Sequence, residues 1–209
     1  MEDVLEVYTR PYDEKRPVVC LDETNRQLIG EKREPRPVQP GQPALYDYEY
    51  VRNGVANLFT MFEPLGQRRE VKVTERRTAV DFAHCLRDLS DAHYPDAEKI
   101  VLVMDNLNTH SLCSLYAAFE PSEARRLCGR FEIHHTPKHG SWLNMAEIEI
   151  SALSRQCLDR RIPSMEGMEG MAAEVRSWVA RRNAEKATVR WRFTTADARI
   201  RLRHLYPRV

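Results

Sequence analysis

The chain has 209 residues, of which 42% are hydrophobic, and its formal net charge is +1. A chain of this size and composition can bury one substantial core, which favours one main domain of catalytic size. No run approaches the roughly 18 apolar residues of a transmembrane helix, and the acidic start Met1-Glu2-Asp3 is unlike the basic start of a signal peptide, so we expect a cytoplasmic protein.

The cysteines and the charge distribution narrow the function classes further. Five scattered cysteines without a CxxC pair favour buried free thiols over a disulfide framework or a zinc site. Residues 151–209 carry 13 Lys and Arg against 6 Asp and Glu, whereas residues 1–150 carry 19 against 25. The basic C-terminal part could meet a polyanion, although such a charge run is about as often only a solvated face.

The sequence of the N-terminal half predicts a lead-in segment, a strand, a loop and a hairpin. Residues 1–16 are predicted to be a lead-in segment, and the apolar run at 18–22 is predicted to be a strand that ends in acids. Residues 30–43, with four prolines and two glycines, are predicted to be a loop. Strand-like runs at 54–62 and 69–73 then indicate a hairpin or meander.

The C-terminal half alternates helices with strands. The patterns predict helices at 78–90, 109–119, 121–128, 164–182 and 195–205, strands at 99–104 and 131–135, and a helix that carries Glu147. This order predicts an α/β fold with a mixed five-stranded sheet flanked by helices. We expect a core over residues 17–163 and a C-terminal helical extension, 164–209, that packs on it.

Three acidic residues occur where rigid elements would hold them. Asp22 and Asp105 end apolar strands, and Glu147 lies in the first turns of a predicted helix. Side chains at the carboxyl ends of strands converge on one crevice, and hard carboxylate oxygens suit Mg²⁺ or Mn²⁺. Two such ions about 3.5–4 Å apart serve phosphodiester chemistry. The pattern predicts a divalent-metal site, although each acid alone is as well explained as a turn former or helix cap.

Glu149 competes with Glu147 for the helical position. Residues two apart on a helix point about 200° away from each other, so only one of these two acids can face the strand acids. Helical facing separates the two but does not choose between them.

Three sequence blocks surround these acids. They read Val-Cys-Leu-Asp-Glu at 19–23, Met-Asp-Asn-Leu-Asn-Thr-His at 104–110, and Thr-Pro-Lys-His-Gly-Ser-Trp-Leu-Asn-Met-Ala-Glu at 136–147. Together they resemble the motif blocks of the DDE transposases of the IS630 group, within the IS630/Tc1/mariner superfamily. The resemblance covers nearly the whole chain, including Tyr-Asp-Tyr-Glu-Tyr at 46–50 and Trp-Arg-Phe at 191–193.

The resemblance implies an RNase H-like fold and cut-and-paste DNA transposition. Water would cleave the element's ends, and the released 3′-hydroxyl would attack target DNA. Asp22, Asp105 and Glu147 match the family's catalytic, metal-binding triad, which chooses Glu147 over Glu149 and implies Mg²⁺ or Mn²⁺, as a pair of ions. The implied partners are transposon-end and target DNA and a second copy of the chain in a synaptic homodimer. The implied location is the bacterial cytosol and nucleoid.

The same sequence blocks imply roles for other residues near the triad. Asn106, His110 and Asn144 are expected to hydrogen-bond around the triad, although local capping explains the two asparagines equally well. A second set of residues is expected to line the DNA path: Lys138, His139, Trp142, Arg155, Arg160 and Arg161. Its three arginines are expected to lie on the helix that carries Glu147. Trp142 is equally well explained as a core residue.

Two departures from the family pattern leave alternatives open. The 41 residues between Asp105 and Glu147 exceed the superfamily's usual gap, with 119–129 as the expected insertion. The family's N-terminal helix-turn-helix domains have no counterpart before Asp22, so we expect an excised domain, a split reading frame or a truncated element. An inactive or regulatory remnant that binds DNA or dimerises, and a generic RNase H-like nuclease, are the competing interpretations.

Overall fold

The computed structural model describes residues 1–33, 39–41, 48–106, 111–138, 140–163 and 165–206. Within these ranges the strands are β1 (Val18–Glu31), β2 (Tyr50–Glu63), β3 (Arg68–Thr74), β4 (Ile100–Met104) and β5 (Phe131–His135). The α-helices of the same ranges are α1 (Glu2–Val7), α2 (Ala79–Asp88), α3 (Cys113–Ala118), α4 (Pro121–Cys128), α5 (Ala146–Gln156), α6 (Met165–Ala184) and α7 (Thr195–Arg201).

The strands form one mixed sheet in the order β3-β2-β1-β4-β5. The first three strands pair antiparallel, and β4 and β5 join them parallel to β1. Short connections suffice for the antiparallel strands, whereas helices carry the chain between the parallel ones. The predicted mixed five-stranded sheet flanked by helices is confirmed.

The first strand is much longer than the sequence pattern indicates. It was expected to end at Asp22, but β1 continues to Glu31, and its pairing with β2 extends as far as Glu31 opposite Tyr50. The prediction of a loop from residue 30 is therefore wrong at its start. Residues 34–38 and 42–47 of that predicted loop lie outside the described ranges. The paired strands β1 and β2 therefore extend beyond the point at which β4 ends.

Alternate residues of β1 and β4 face different helix layers. Val19 and Leu21 belong to a core cluster with α2, α3 and α4, whereas Val18 and Cys20 belong to a cluster with α1, the start of α5 and α7. In β4, Val103 lies in the second of these clusters. A third cluster packs α6 and the end of α5 against the projecting hairpin. We call the side of the sheet that carries α5 the α5 face.

The predicted lead-in contributes a buried helix. Val4, Leu5 and Val7 of α1 are each at most 1% exposed and pack against the α5 face. A six-residue helix is marginal alone, so its packing must stabilise it. Burial of each such side chain contributes about 1.5–3 kcal/mol relative to exposure. Glu2 also pairs with Arg199 of α7 at 2.7 Å, which joins the two ends of the described chain.

Helix boundaries differ from the predicted ones mainly at their ends. Thr78 caps α2 through a capping box with Asp81, and a π-helical turn at Leu89–His93 follows the helix. The predicted helix at 109–119 is described only as α3, because residues 107–110 lie outside the described ranges. In the described parts of the chain, no helix is long and apolar enough to cross a bilayer.

Candidate functional site

Asp22 lies on β1, and Asp105 directly follows β4, the parallel neighbour of β1. The last register pair is Cys20 with Val103; two residues farther along the chain stand Asp22, still within β1, and Asp105, one residue past the end of β4. Side chains alternate along a strand, so Asp22 points to the same face as Cys20, the α5 face. Asp105 follows Val103, which packs on the α5 face, by two residues.

Asn144 holds the beginning of α5 against β1. Its side chain is fully buried, and its Nδ2 donates to the carbonyl of Leu21 at 2.8 Å. Its Oδ1 accepts from the N–H of Ala146 at 3.1 Å, and its carbonyl accepts from the N–H of Glu147 at 3.1 Å. One asparagine therefore links the residue before Asp22 to the helical turn that carries Glu147.

The three acids share one electrostatic environment. The pKa of Asp22 is raised to about 7, first because burial disfavours its charged form and then because Asp105, Glu147 and Glu23 repel it. The N–H of Glu23, which donates to Asp22 Oδ1 at 2.8 Å, acts in the opposite direction. Negative charge is thus concentrated at this edge of the sheet.

The chemistry of this donor set fits a hard divalent cation. Carboxylate oxygens suit Mg²⁺ or Mn²⁺, and a bound cation would offset both the burial and the repulsion that raise the pKa of Asp22. As placed in the described parts of the chain, no three His, Cys, Asp or Glu side chains converge closely enough to hold a metal ion. Asp105 and Glu147 nevertheless act on Asp22 through their charges, and these three carboxylates are the groups that could hold a cation at this edge of the sheet.

Glu149 faces away from this group and is already paired. Its side chain is fully buried, with Oε2 at 2.9 Å from Nε of Arg69 and Oε1 at 2.8 Å from a terminal nitrogen of Arg182. Arg69 comes from β3 and Arg182 from α6, so the carboxylate joins three elements. Of the two competing acids, Glu147 is the one whose charge raises the pKa of Asp22.

The ion-paired cluster of Arg69, Glu149 and Arg182 was not predicted from the sequence. Arg69 lies opposite Phe62 in the sheet, with its guanidinium 5.2 Å from the centre of that ring. Asn183 accepts from the main-chain N–H of Arg69 at 2.9 Å and donates to its carbonyl at 2.9 Å. The cluster thereby fixes α5 and α6 on the sheet beside the candidate site.

The motif neighbours of the acids have different environments. Asn106 and Lys138 are exposed, whereas His110 and His139 lie outside the described residues. A residue that the sequence patterns did not indicate, His135, lies with Nδ1 3.2 Å from the carbonyl of Asp105. It comes from the end of the neighbouring parallel strand and contacts the turn in which Asp105 stands.

The residues predicted to line a DNA path are partly on the surface. Trp142 is 44% exposed, and its ring meets Phe193 edge-on at 5.7 Å between centroids. Arg155 is exposed in the last turn of α5. This placement gives a partly exposed tryptophan ring just before α5 and an exposed cation, Arg155, in its last turn.

The predicted placement of Arg160 and Arg161 on that helix is wrong. The helix ends at Gln156, because Cys157 leaves the helical conformation with φ −128°. Arg160 pairs with Glu174 at 2.6 Å and Arg161 with Glu31 at 2.6 Å. Both arginines therefore tie the segment after α5 to α6 and to the end of β1.

Comparison with known proteins identifies the family and the fold of the chain. A sequence profile described as DDE superfamily endonuclease matches residues 17–169, a range that includes all three acids. A crystal structure of the Mos1 strand transfer complex superposes with a TM-score of 0.53 at 14% identity, covering 90% of this chain and 59% of that one. A Mos1 transposase paired-end complex with the left transposon end superposes with a TM-score of 0.52 at 17% identity, covering 87% and 61%.

These comparisons bear on the fold and on the extent of the chain. The likeness confirms the predicted RNase H-like fold. The chain spans about three fifths of the length of the solved chains that it matches. No protein of curated function matches the sequence.

Proposed function

The chain belongs to the DDE superfamily endonuclease family, and from this membership we propose that it is the catalytic domain of a metal-dependent DNA transposase of the IS630 group. The observation that carries the proposal is that the charges of Asp105, after β4, and Glu147, on α5, both act on the partly buried carboxyl group of Asp22 on β1. The proposed reactions are cleavage at transposon ends and joining of the 3′-hydroxyl to target DNA.

Asp22, Asp105 and Glu147 are the proposed ligands of Mg²⁺ or Mn²⁺. When bound, a pair of such ions activates the attacking oxygen and stabilises the leaving oxygen of a phosphodiester. The chain's own contribution is placement, since two parallel strands and a helix present the carboxylates. Asn144 fixes the position of Glu147 relative to Asp22 by its two side-chain hydrogen bonds.

DNA contact is proposed along the surface that begins at Lys138 and Trp142 and continues to Arg155. These residues are exposed and flank or extend the helix of Glu147. Arg160 and Arg161 remain proposed contributors, because their side chains are 48% and 35% exposed despite their ion pairs. Phosphate contacts of this kind position DNA without reading its sequence.

One further feature is carried over from the matched structures as a proposal. Both are transposase complexes, one for strand transfer and one with paired transposon ends. We therefore propose that this domain acts on transposon ends. The proposed homodimer and the proposed location in the bacterial cytosol and nucleoid rest instead on the resemblance of the sequence blocks to the IS630 group. His110, His139 and Asn106 keep their proposed places around the acids and the DNA.

A DNA-nicking assay tests the proposed function. The chain is expected to nick supercoiled plasmid DNA with Mg²⁺ or Mn²⁺ and not with EDTA, and Asp105→Ala is expected to reduce nicking to background. Nicking that persists in Asp105→Ala would rule out the proposed site. DNA binding without nicking by either protein would favour the regulatory remnant, and a preference for RNA–DNA hybrids would favour the generic nuclease.

A further inference from the structure

Thr60 lies directly across the sheet from Asp22. The antiparallel register of β1 and β2 pairs Asp22 with Thr60. Directly opposed residues point to the same face, with Cβ atoms about 4.5–5.5 Å apart. Thr60 therefore stands on the α5 face beside the first acid of the candidate triad. The side chain is fully buried.

The hydroxyl of Thr60 has no hydrogen-bond partner among the described residues. A buried polar group without a partner costs about 1–3 kcal/mol, so native proteins rarely retain one without a reason. Other buried polar side chains nearby are engaged: Asn144 makes two hydrogen bonds and Glu149 two ion pairs. Valine would fill the same space in the strand without that cost.

We propose that Thr60 is a positioning residue for Asp22. Its hydroxyl donates to the Asp22 carboxylate when the three acids close on their cation. The N–H of Glu23 already holds Oδ1 of Asp22, so a second donor from the neighbouring strand fixes the orientation of the carboxylate. The proposal rests on the proposed function, because it assigns the cation to Asp22, Asp105 and Glu147.

Two variants separate the hydroxyl from the shape of the side chain. Thr60→Val keeps the branched shape and removes the hydroxyl, whereas Thr60→Ser keeps the hydroxyl and removes a methyl group. A purely structural role predicts that activity follows stability. A positioning role predicts that stability and activity rank the two variants in opposite orders. Thr60→Val is then the more stable variant and the less active one.

The experiment measures thermal unfolding with and without Mn²⁺, and plasmid nicking, for the wild type and both variants. Without Mn²⁺, Thr60→Val is expected to unfold at or above the wild-type temperature. Its Mn²⁺ affinity, obtained from the Mn²⁺-induced rise in unfolding temperature, and its nicking rate are expected to fall about 10–100-fold. Thr60→Ser is expected to stay within about threefold of the wild type in both, since the donor is retained.

Thr188→Val is the matched control. The Thr188 hydroxyl donates to the carbonyl of Pro64, at the turn between β2 and β3 and away from the acids. This variant is expected to lose some stability and to keep the wild-type Mn²⁺ affinity and nicking rate.

Wild-type Mn²⁺ affinity and nicking in Thr60→Val would overturn the inference, as would an equal loss in Thr60→Ser. If the wild type responds to Mn²⁺ but does not nick DNA, the proposed chemistry fails while the Mn²⁺ response of the variants still decides the role of Thr60. If the wild type shows neither response, both proposals fail.

Discussion

Glu147→Gln is expected to abolish DNA nicking while the protein stays folded. Glutamine keeps the shape of glutamate but loses the negative charge that a divalent cation requires of its ligand. Loss of a metal-stabilised transition state costs several kcal/mol, so we expect a fall of about 1,000-fold or more in nicking rate. The side chain is partly exposed, and removal of one of three mutually repelling charges does not destabilise the fold. The measurement is the nicking rate under saturating Mn²⁺, with circular dichroism to verify folding.

Glu149→Gln is expected to have the opposite effect, a loss of stability. This change leaves the guanidinium of Arg69, which is fully buried, and that of Arg182, which is 17% exposed, without a counter-charge. Breaking a buried ion pair by removal of one partner costs about 3–5 kcal/mol. In a chain of this length that corresponds to a fall of about 10 °C in unfolding temperature. The measurement is thermal or urea unfolding of the cation-free protein.

The variants Glu147→Gln and Glu149→Gln form a matched pair. The same chemical change, two residues apart on one helix, is expected to stop the chemistry at one position and weaken the fold at the other. A folded, inactive Glu149→Gln beside an active Glu147→Gln would reverse the assignment of the helical acid. Equal unfolding temperatures for both variants would contradict the structural role of the buried cluster.

The order of elements was predictable because the strands of the sheet centre are locally apolar. The runs at Val18 and Ile100 are buried on both faces, and each leads to an acid, so sequence alone placed Asp105 directly after a strand. The matching prediction that Asp22 ends its strand is wrong, because β1 continues to Glu31. The extension of β1 to Glu31 was not predictable in this way. Its residues 23–27 are polar, and pairing with residues 55–59 of β2, which lie 28 to 36 positions farther along the chain, makes them a strand.

The contacts that surround the acids could not be predicted from local pattern. Arg69 and Arg182 are 80 and 33 residues from Glu149, and Thr60 is 38 residues from Asp22. Only the sheet register and the packing of α6 bring them together. Sequence spacing showed that Glu147 and Glu149 face different ways, and the buried arginines show which of the two is occupied by an ion pair.

The measurement that tests the central claim most directly is a Mn²⁺ titration followed by electron paramagnetic resonance. It compares the wild type with Asp22→Asn, Asp105→Asn and Glu147→Gln. If these acids form one cation site, the wild type binds Mn²⁺ saturably and each substitution weakens binding at least about tenfold. A variant of any of the three that binds Mn²⁺ as the wild type does, or a wild type that binds none, would contradict the claim.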